Sequence, residues 1–217
     1  MLRIKKKPGN YHHGDLRRVL LETAVRVVEK EGVAGLNLKA VADRAGVSTG
    51  APYHHFQSRE LLLAAIAEQG LTLLVQEMQR SAEAASPEAD VQLEAMGRGY
   101  IRFAIGHRGH FRVMFLSELR PLIAEEVHGA GLAMLKRAII RCQEVGLAPP
   151  GDPAPLVLTA WSAVHGASNL WINGSLADKQ LVKDGEVLAS TVAAMTVKLI
   201  AAGGRPVTPL QPGRGSR

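Results

Sequence analysis

The sequence is poor in several things, and each shortage excludes a class of protein. Of 217 residues one is a cysteine, Cys142. No disulfide can form within the chain, and a single thiol suits a reducing compartment, so the expected location is the cytoplasm. No unbroken apolar run approaches the ~18–20 residues that span a bilayer, so no membrane partner is expected. The basic start, MLRIKKKPGNYHHG, lacks the apolar stretch of a signal peptide. There is no phosphate-cradling glycine loop and no zinc-protease helix. His107 and His110 flank a turn and His12 and His13 sit at the start, but neither pair comes with carboxylates at metal-ligand spacing. No catalytic residue, no metal and no cofactor is therefore expected, and the chain does not read as an enzyme.

Apolar residues make up 47% of the chain, enough for a real core. No strand alternation or internal repeat is visible, so the fold class reads as all-α. Glycine and proline act as punctuation between about nine helical stretches. These fall near 15–31, 38–45, 48–55, 58–81, 87–107, 111–115, 120–145, 153–173 and 183–202. The formal charge is +6, unevenly placed: residues 1–60 carry 11 Lys+Arg against 6 Asp+Glu, and the rest carry 15 against 14. A basic segment at one end of a chain is the footprint of a polyanion binder.

That segment contains LNLKAVADRAGVSTGAPYHHFQSRELLL, residues 36–63, with the layout of a helix-turn-helix. Asn37 is placed to cap a helix. Leu38, Val41, Ala42 and Ala45 recur at helical spacing, and Gly46 stops the helix where a positive φ is needed. A second short helix begins at Ser48 or Thr49 and ends near His55 or Phe56. Pro52 has no N–H and restricts the residue before it, so this helix begins no earlier than Thr49. Small and polar residues at its front let the backbone approach base edges in a major groove.

Gly35, Ala42, Ala45-Gly46-Val47-Ser48, Tyr53, Phe56 and Ser58-Arg59-Glu60-Leu61 together resemble the TetR family of bacterial transcriptional regulators. Ala160-Trp161-Ser162-Ala163-Val164-His165-Gly166 is similar to the Trp-x-x-x-His-Gly element of one subgroup. The resemblance implies a three-helix DNA-binding head and a six-helix body for effector binding and dimerisation. The division expected is a basic arm over 1–14, a head over 15–57, a body over 58–202 and a disordered tail over 203–217.

Thr49 is the leading candidate for a base-edge or phosphate contact, with Ser48 and Gly50 beside it. By resemblance Tyr53 and His54 face the DNA, Phe56 packs inward, and Arg59 meets a phosphate at the start of the long helix. Lys39 is either a second phosphate contact or an ordinary solvated lysine. Met78, Met96, Tyr100, Phe103, Phe111, Phe115, Trp161 and His165 are candidates for an apolar effector pocket, with ordinary core as the alternative for each. The last two helices carry small residues in stripes and are the expected seam of a homodimer. The resulting expectation is a repressor of a palindromic double-stranded DNA operator, released by a small apolar effector. An activator of the same fold and a non-specific DNA-binding protein are the alternatives.

Overall fold

The structure is a computed structural model that describes residues 13–176 and 181–202, with side chains from residue 16. The tail expected over 203–217, and all but the last two residues of the arm expected over 1–14, lie outside the described residues. Those two residues, His13 and Gly14, belong to the first helix. The described residues are helical, with turns and loops between and no strand. They form two compact units, one within 1–73 and 107–129, the other within 74–106 and 130–217.

In the first unit α1 (His13–Glu31) buries Leu20, Ala24, Val27 and Val28 and ends at Gly32, whose φ of 75° suits glycine. A 3₁₀ turn (Val33–Gly35) leads to α2 (Leu38–Ala45), and the first half of α3 (Arg59–Glu83) comes after a second turn. α1 packs on both α2 and the four-residue α5 (Arg108–Phe111). A Cβ on Gly109 would stand 2.6 Å from the Val25 carbonyl oxygen, so only glycine permits this approach. Arg112 then donates from Nη1 to the Glu29 carbonyl at 2.8 Å. That bond occupies one of the carbonyls a helix leaves bare at its C-terminus.

In the second unit α4 (Ala89–Gly106) packs on α7 (Ala154–Ile172) and α8 (Gly185–Ala202), and α7 packs on α8. Small residues set the spacing. A Cβ on Gly97 would meet the Ala193 Cβ at 3.3 Å, and one on Gly99 would meet Ser81 Oγ at 2.6 Å. Phe103, Ile101 and Ile200 fill the core. Arg102 and Glu186 form a two-bond ion pair between α4 and α8 on the surface. α6 (Glu125–Glu144) buries Leu135, Ile139 and Cys142. Burial pushes the Cys142 thiol up, so it stays protonated and inert.

Two expectations need correction. The helix anticipated near 120–145 starts at Glu125, because Pro121 falls within a separate 3₁₀ turn (Ser117–Leu122). The short helix anticipated at 111–115 is α5, one turn earlier, with turn structure through Phe115. By length and mean hydropathy (1.3 and 1.4) α3 and α8 are each apolar enough to cross a bilayer. The charged residues that interrupt both helices hid this from a search for unbroken runs. Half of the α3 window is buried, against 28% for α8, which leaves α8 with apolar surface to cover.

Candidate functional site

The head is assembled by local hydrogen bonds. Asn37 Oδ1 accepts from the Ala40 N–H at 2.8 Å and caps α2. Gly46 adopts the left-handed region at φ 70°. Its N–H donates to Asp43 O at 3.3 Å, and the Val47 N–H to Ala42 O at 3.1 Å. Together these form a Schellman closure that reverses the chain within two residues.

The second element of the motif is tighter than the helix expected from the sequence. Ser48, Thr49 and Gly50 form an exposed turn, and Ala51–His54 is a 3₁₀ helix. Pro52 is the physical reason. A regular α-helix would need a Pro52 N–H donated to Ser48 O. That oxygen instead accepts from Ala51 N at 3.0 Å, three residues on, and Tyr53 N donates to Gly50 O at 3.2 Å. The element starts after Thr49, as Pro52 requires, and ends at His54. Five residues later, at Arg59, the chain enters α3, and Ser58 just before it accepts at Oγ from the Leu61 N–H at 3.2 Å.

This geometry sorts the candidate residues. Pro52 and Phe56 face inward, and the Arg17 guanidinium lies over the Phe56 ring at 5.1 Å from its centroid. Lys39, Ser48, Thr49, Gly50 and His54 are exposed, and Tyr53 keeps 55% of its surface in solvent. His55 is half-buried. Arg59 departs from its expected role. It is half-buried, and its Nε and Nη2 donate to the carbonyls of Leu36 and Val33 at 2.8 and 2.7 Å. The guanidinium ties the start of α3 to the segment before α2. The sequence offered no signal for this, because it joins residues 23 and 26 apart.

The candidate pocket residues are divided between the two units. Phe111 and Phe115 sit in the first unit and meet edge to face at 5.4 Å between centroids. Met78, Met96, Tyr100, Phe103, Trp161 and His165 belong to the second. Phe103, Met78 and Met96 are buried, and Tyr100 Oη lies 2.8 Å from His165 Nδ1. Burial holds the His165 imidazole below its ordinary range and drives the Tyr100 phenol well above its own. A neutral imidazole can then accept a hydrogen bond at Nδ1 from the phenol O–H, which keeps its proton. Trp161 stands beside the same imidazole at 5.7 Å between centroids.

Of the eight, Met96 alone lines a groove of about 420 Å³ between the second half of α3, α4 and α6. Val75, Ala82, Ala89, Met134 and Ala138 continue its apolar wall, and Gln79, Gln92, Arg137 and Arg141 bring polar groups to it. Sequence reasoning missed the α6 contribution. The signal was present: Met134, Arg137, Ala138 and Arg141 recur at 3, 4 and 7 residues, one face of a helix.

Comparison with known proteins agrees with this architecture at both ends of the chain. Residues 20–66 match the model of the bacterial regulatory proteins of the tetR family, and residues 93–195 match the tetracyclin repressor-like C-terminal domain. An uncharacterized HTH-type transcriptional regulator, YobS, of Bacillus subtilis (strain 168) is 25% identical over 103 residues, which take in 48% of this chain and 53% of that protein. The chain thus spans about half the length of this relative. A solved structure of a Rhodococcus sp. RHA1 protein of unknown function is 31% identical, covers 89% of this chain and 100% of its own, and superposes with a TM-score of 0.73. The transcriptional regulator FadR from Bacillus subtilis, solved with stearoyl-CoA, shares the fold at 17% identity and a TM-score of 0.68, over 86% of this chain and 98% of its own. With a helix-turn-helix that matches the N-terminal family model and a helical body that matches the C-terminal one, the chain belongs to the TetR family of bacterial transcriptional regulators.

Proposed function

We propose that this chain is a repressor that holds a palindromic DNA operator as a homodimer and leaves it when a small molecule occupies the body. The observation that carries the DNA-reading part is the exposed front Ser48-Thr49-Gly50, followed by an exposed Tyr53 on an element anchored by buried Pro52 and Phe56. A rigid support with small, polar residues at its tip suits entry into a major groove. Ser48, Thr49 and Gly50 meet base edges or phosphates, Tyr53 and His54 lie along the strand, and Lys39 meets a phosphate. Arg59 keeps the head in shape. Residues 15–57 act as the reading head and 58–202 as the body, in the cytoplasm.

The dimer reading is supported by the outer faces of the last two helices. Leu158 and Leu170 of α7, and Val187, Met195 and Leu199 of α8, are large apolar residues left exposed in the single chain. Two heads about 34–36 Å apart would read half-sites one helical turn apart. FadR, similar to this chain in fold, was solved in complex with stearoyl-CoA, which supports reading a small molecule as the effector. Binding energy that favours one setting of the body would weaken operator affinity through a reciprocal coupling of about 1–3 kcal/mol. In vitro transcription from a promoter carrying a duplex selected by the protein tests the sign. Transcript falling on addition of protein is expected, and a rise would make the chain an activator.

A further inference from the structure

We propose that the groove between α3, α4 and α6 takes a single-chain aliphatic anion, with its carboxylate or phosphate on Arg137 and Arg141 and its tail along Met96 and Met134. This rests on the reading that the body binds an effector, and it specifies the chemistry of that effector. The groove's volume, about 420 Å³, falls within the range of small-molecule sites.

Its lining selects the tail. No aromatic ring lines it, so a planar ligand would find nothing to stack on. Two methionines and several alanines offer an unbranched, pliable wall, which suits a flexible alkyl chain.

The charges select the head. Arg137 and Arg141 stand one turn apart on the same face of α6, and like charges at that spacing repel. Arg141 is held in position, its guanidinium donating to Gln92 Oε1 at 2.5 Å and to the Pro87 carbonyl at 2.7 Å. Arg137 is exposed, and among the described residues its side chain has no hydrogen-bond or ion-pair partner. Glu83 is the one carboxylate at the groove, and it accepts from Gln79 Nε2 at 2.7 Å. Two guanidiniums against one carboxylate leave a net positive mouth. A bound anion relieves the repulsion and receives the forked N–H geometry that arginine offers to carboxylate and phosphate.

The test is titration of the full chain, without DNA, with decanoate, decanoyl-CoA and decanol below their aggregation thresholds. Arg137→Gln is the principal variant. Its side chain is exposed, so the fold is undisturbed, and Ala138→Phe, which fills the groove, is the second. Decanoate or decanoyl-CoA is expected to bind the wild type more tightly than decanol does. Arg137→Gln is expected to weaken the anion about tenfold and leave decanol unchanged. Ala138→Phe is expected to weaken all three. Preference between decanoate and decanoyl-CoA identifies a free acid or a thioester as the source of the tail. Failure of both anions to bind, or binding that Arg137→Gln leaves intact, overturns the proposal. Because no DNA is present, that failure is separate from a failure of operator release.

Discussion

Arg59 offers a sharp separation between two roles for one residue. If it holds the head together, Arg59→Met must lower stability; if it meets a phosphate, the same change must lower DNA affinity alone. Two bonds, at 2.8 and 2.7 Å, run from the guanidinium to the carbonyls of Leu36 and Val33. Hydrogen bonds to a charged group contribute about 1.5–3 kcal/mol each, and the low end applies to a half-buried side chain, giving about 3 kcal/mol for the pair. Water can reach part of this site and replace some of the loss. The Val33 carbonyl also keeps the Leu36 N–H at 3.2 Å. The expected net loss is about 2 kcal/mol, or a fall in Tm of about 4–8 °C for a chain of this size. The assay is thermal and urea unfolding at fixed protein concentration, since the proposed dimerisation would make Tm concentration-dependent. Operator affinity is measured beside it at several salt concentrations. An unchanged Tm with a salt slope reduced by about one would restore the phosphate contact and refute the structural role.

Three further outcomes rest on the same geometry. Tyr53→Ala is expected to weaken operator binding about tenfold and leave Tm within about 1 °C, because an exposed ring contributes little to the core; equal binding by fluorescence anisotropy would remove Tyr53 from the interface. Leu199→Glu on the exposed face of α8 is expected to convert dimer to monomer in sedimentation velocity, and a dimer that survives it would move the seam elsewhere. His110 is held at about 4, below its ordinary 6.5, by burial and then by the charge of His107, and among the described residues its Nδ1 has no hydrogen-bond partner. Its folded pKa is depressed, so between about pH 6.5 and 4 the unfolded chain takes up a proton that the folded head refuses. Stability therefore falls as pH drops through that window, by about 2 kcal/mol at about pH 5, and His110→Gln should flatten the wild-type pH dependence of urea unfolding.

Local features were legible because they rest on short-range chemistry. The Asn37 cap, the left-handed Gly46 and the stop at Gly32 each need only neighbouring residues, and the helical stretches come from period and punctuation. Pro52 forbade an early start to the recognition element, but its 3₁₀ character depended on which donor took the Ser48 carbonyl, a choice made by the whole turn. The bonds of Arg59 to Val33 and Leu36 were not legible because these partners lie in a separate segment. The aromatic candidates were grouped by nearness in sequence, which does not show that Phe111 and Phe115 belong to the head's unit and Tyr100 to the other. Met96 belongs to a groove whose arginines were visible as a helix face on α6, but the partners of Arg141, Gln92 and Pro87, lie about fifty residues away in the sequence.

The central claim is that two exposed Ser48-Thr49-Gly50 fronts read one palindrome. Selection of bound sequences from a random duplex pool, at about physiological salt, tests it most directly. The account predicts an enriched inverted repeat with half-sites about one helical turn apart, lost on Thr49→Ala or Tyr53→Ala. Recovery of unenriched DNA, or of none, would contradict it.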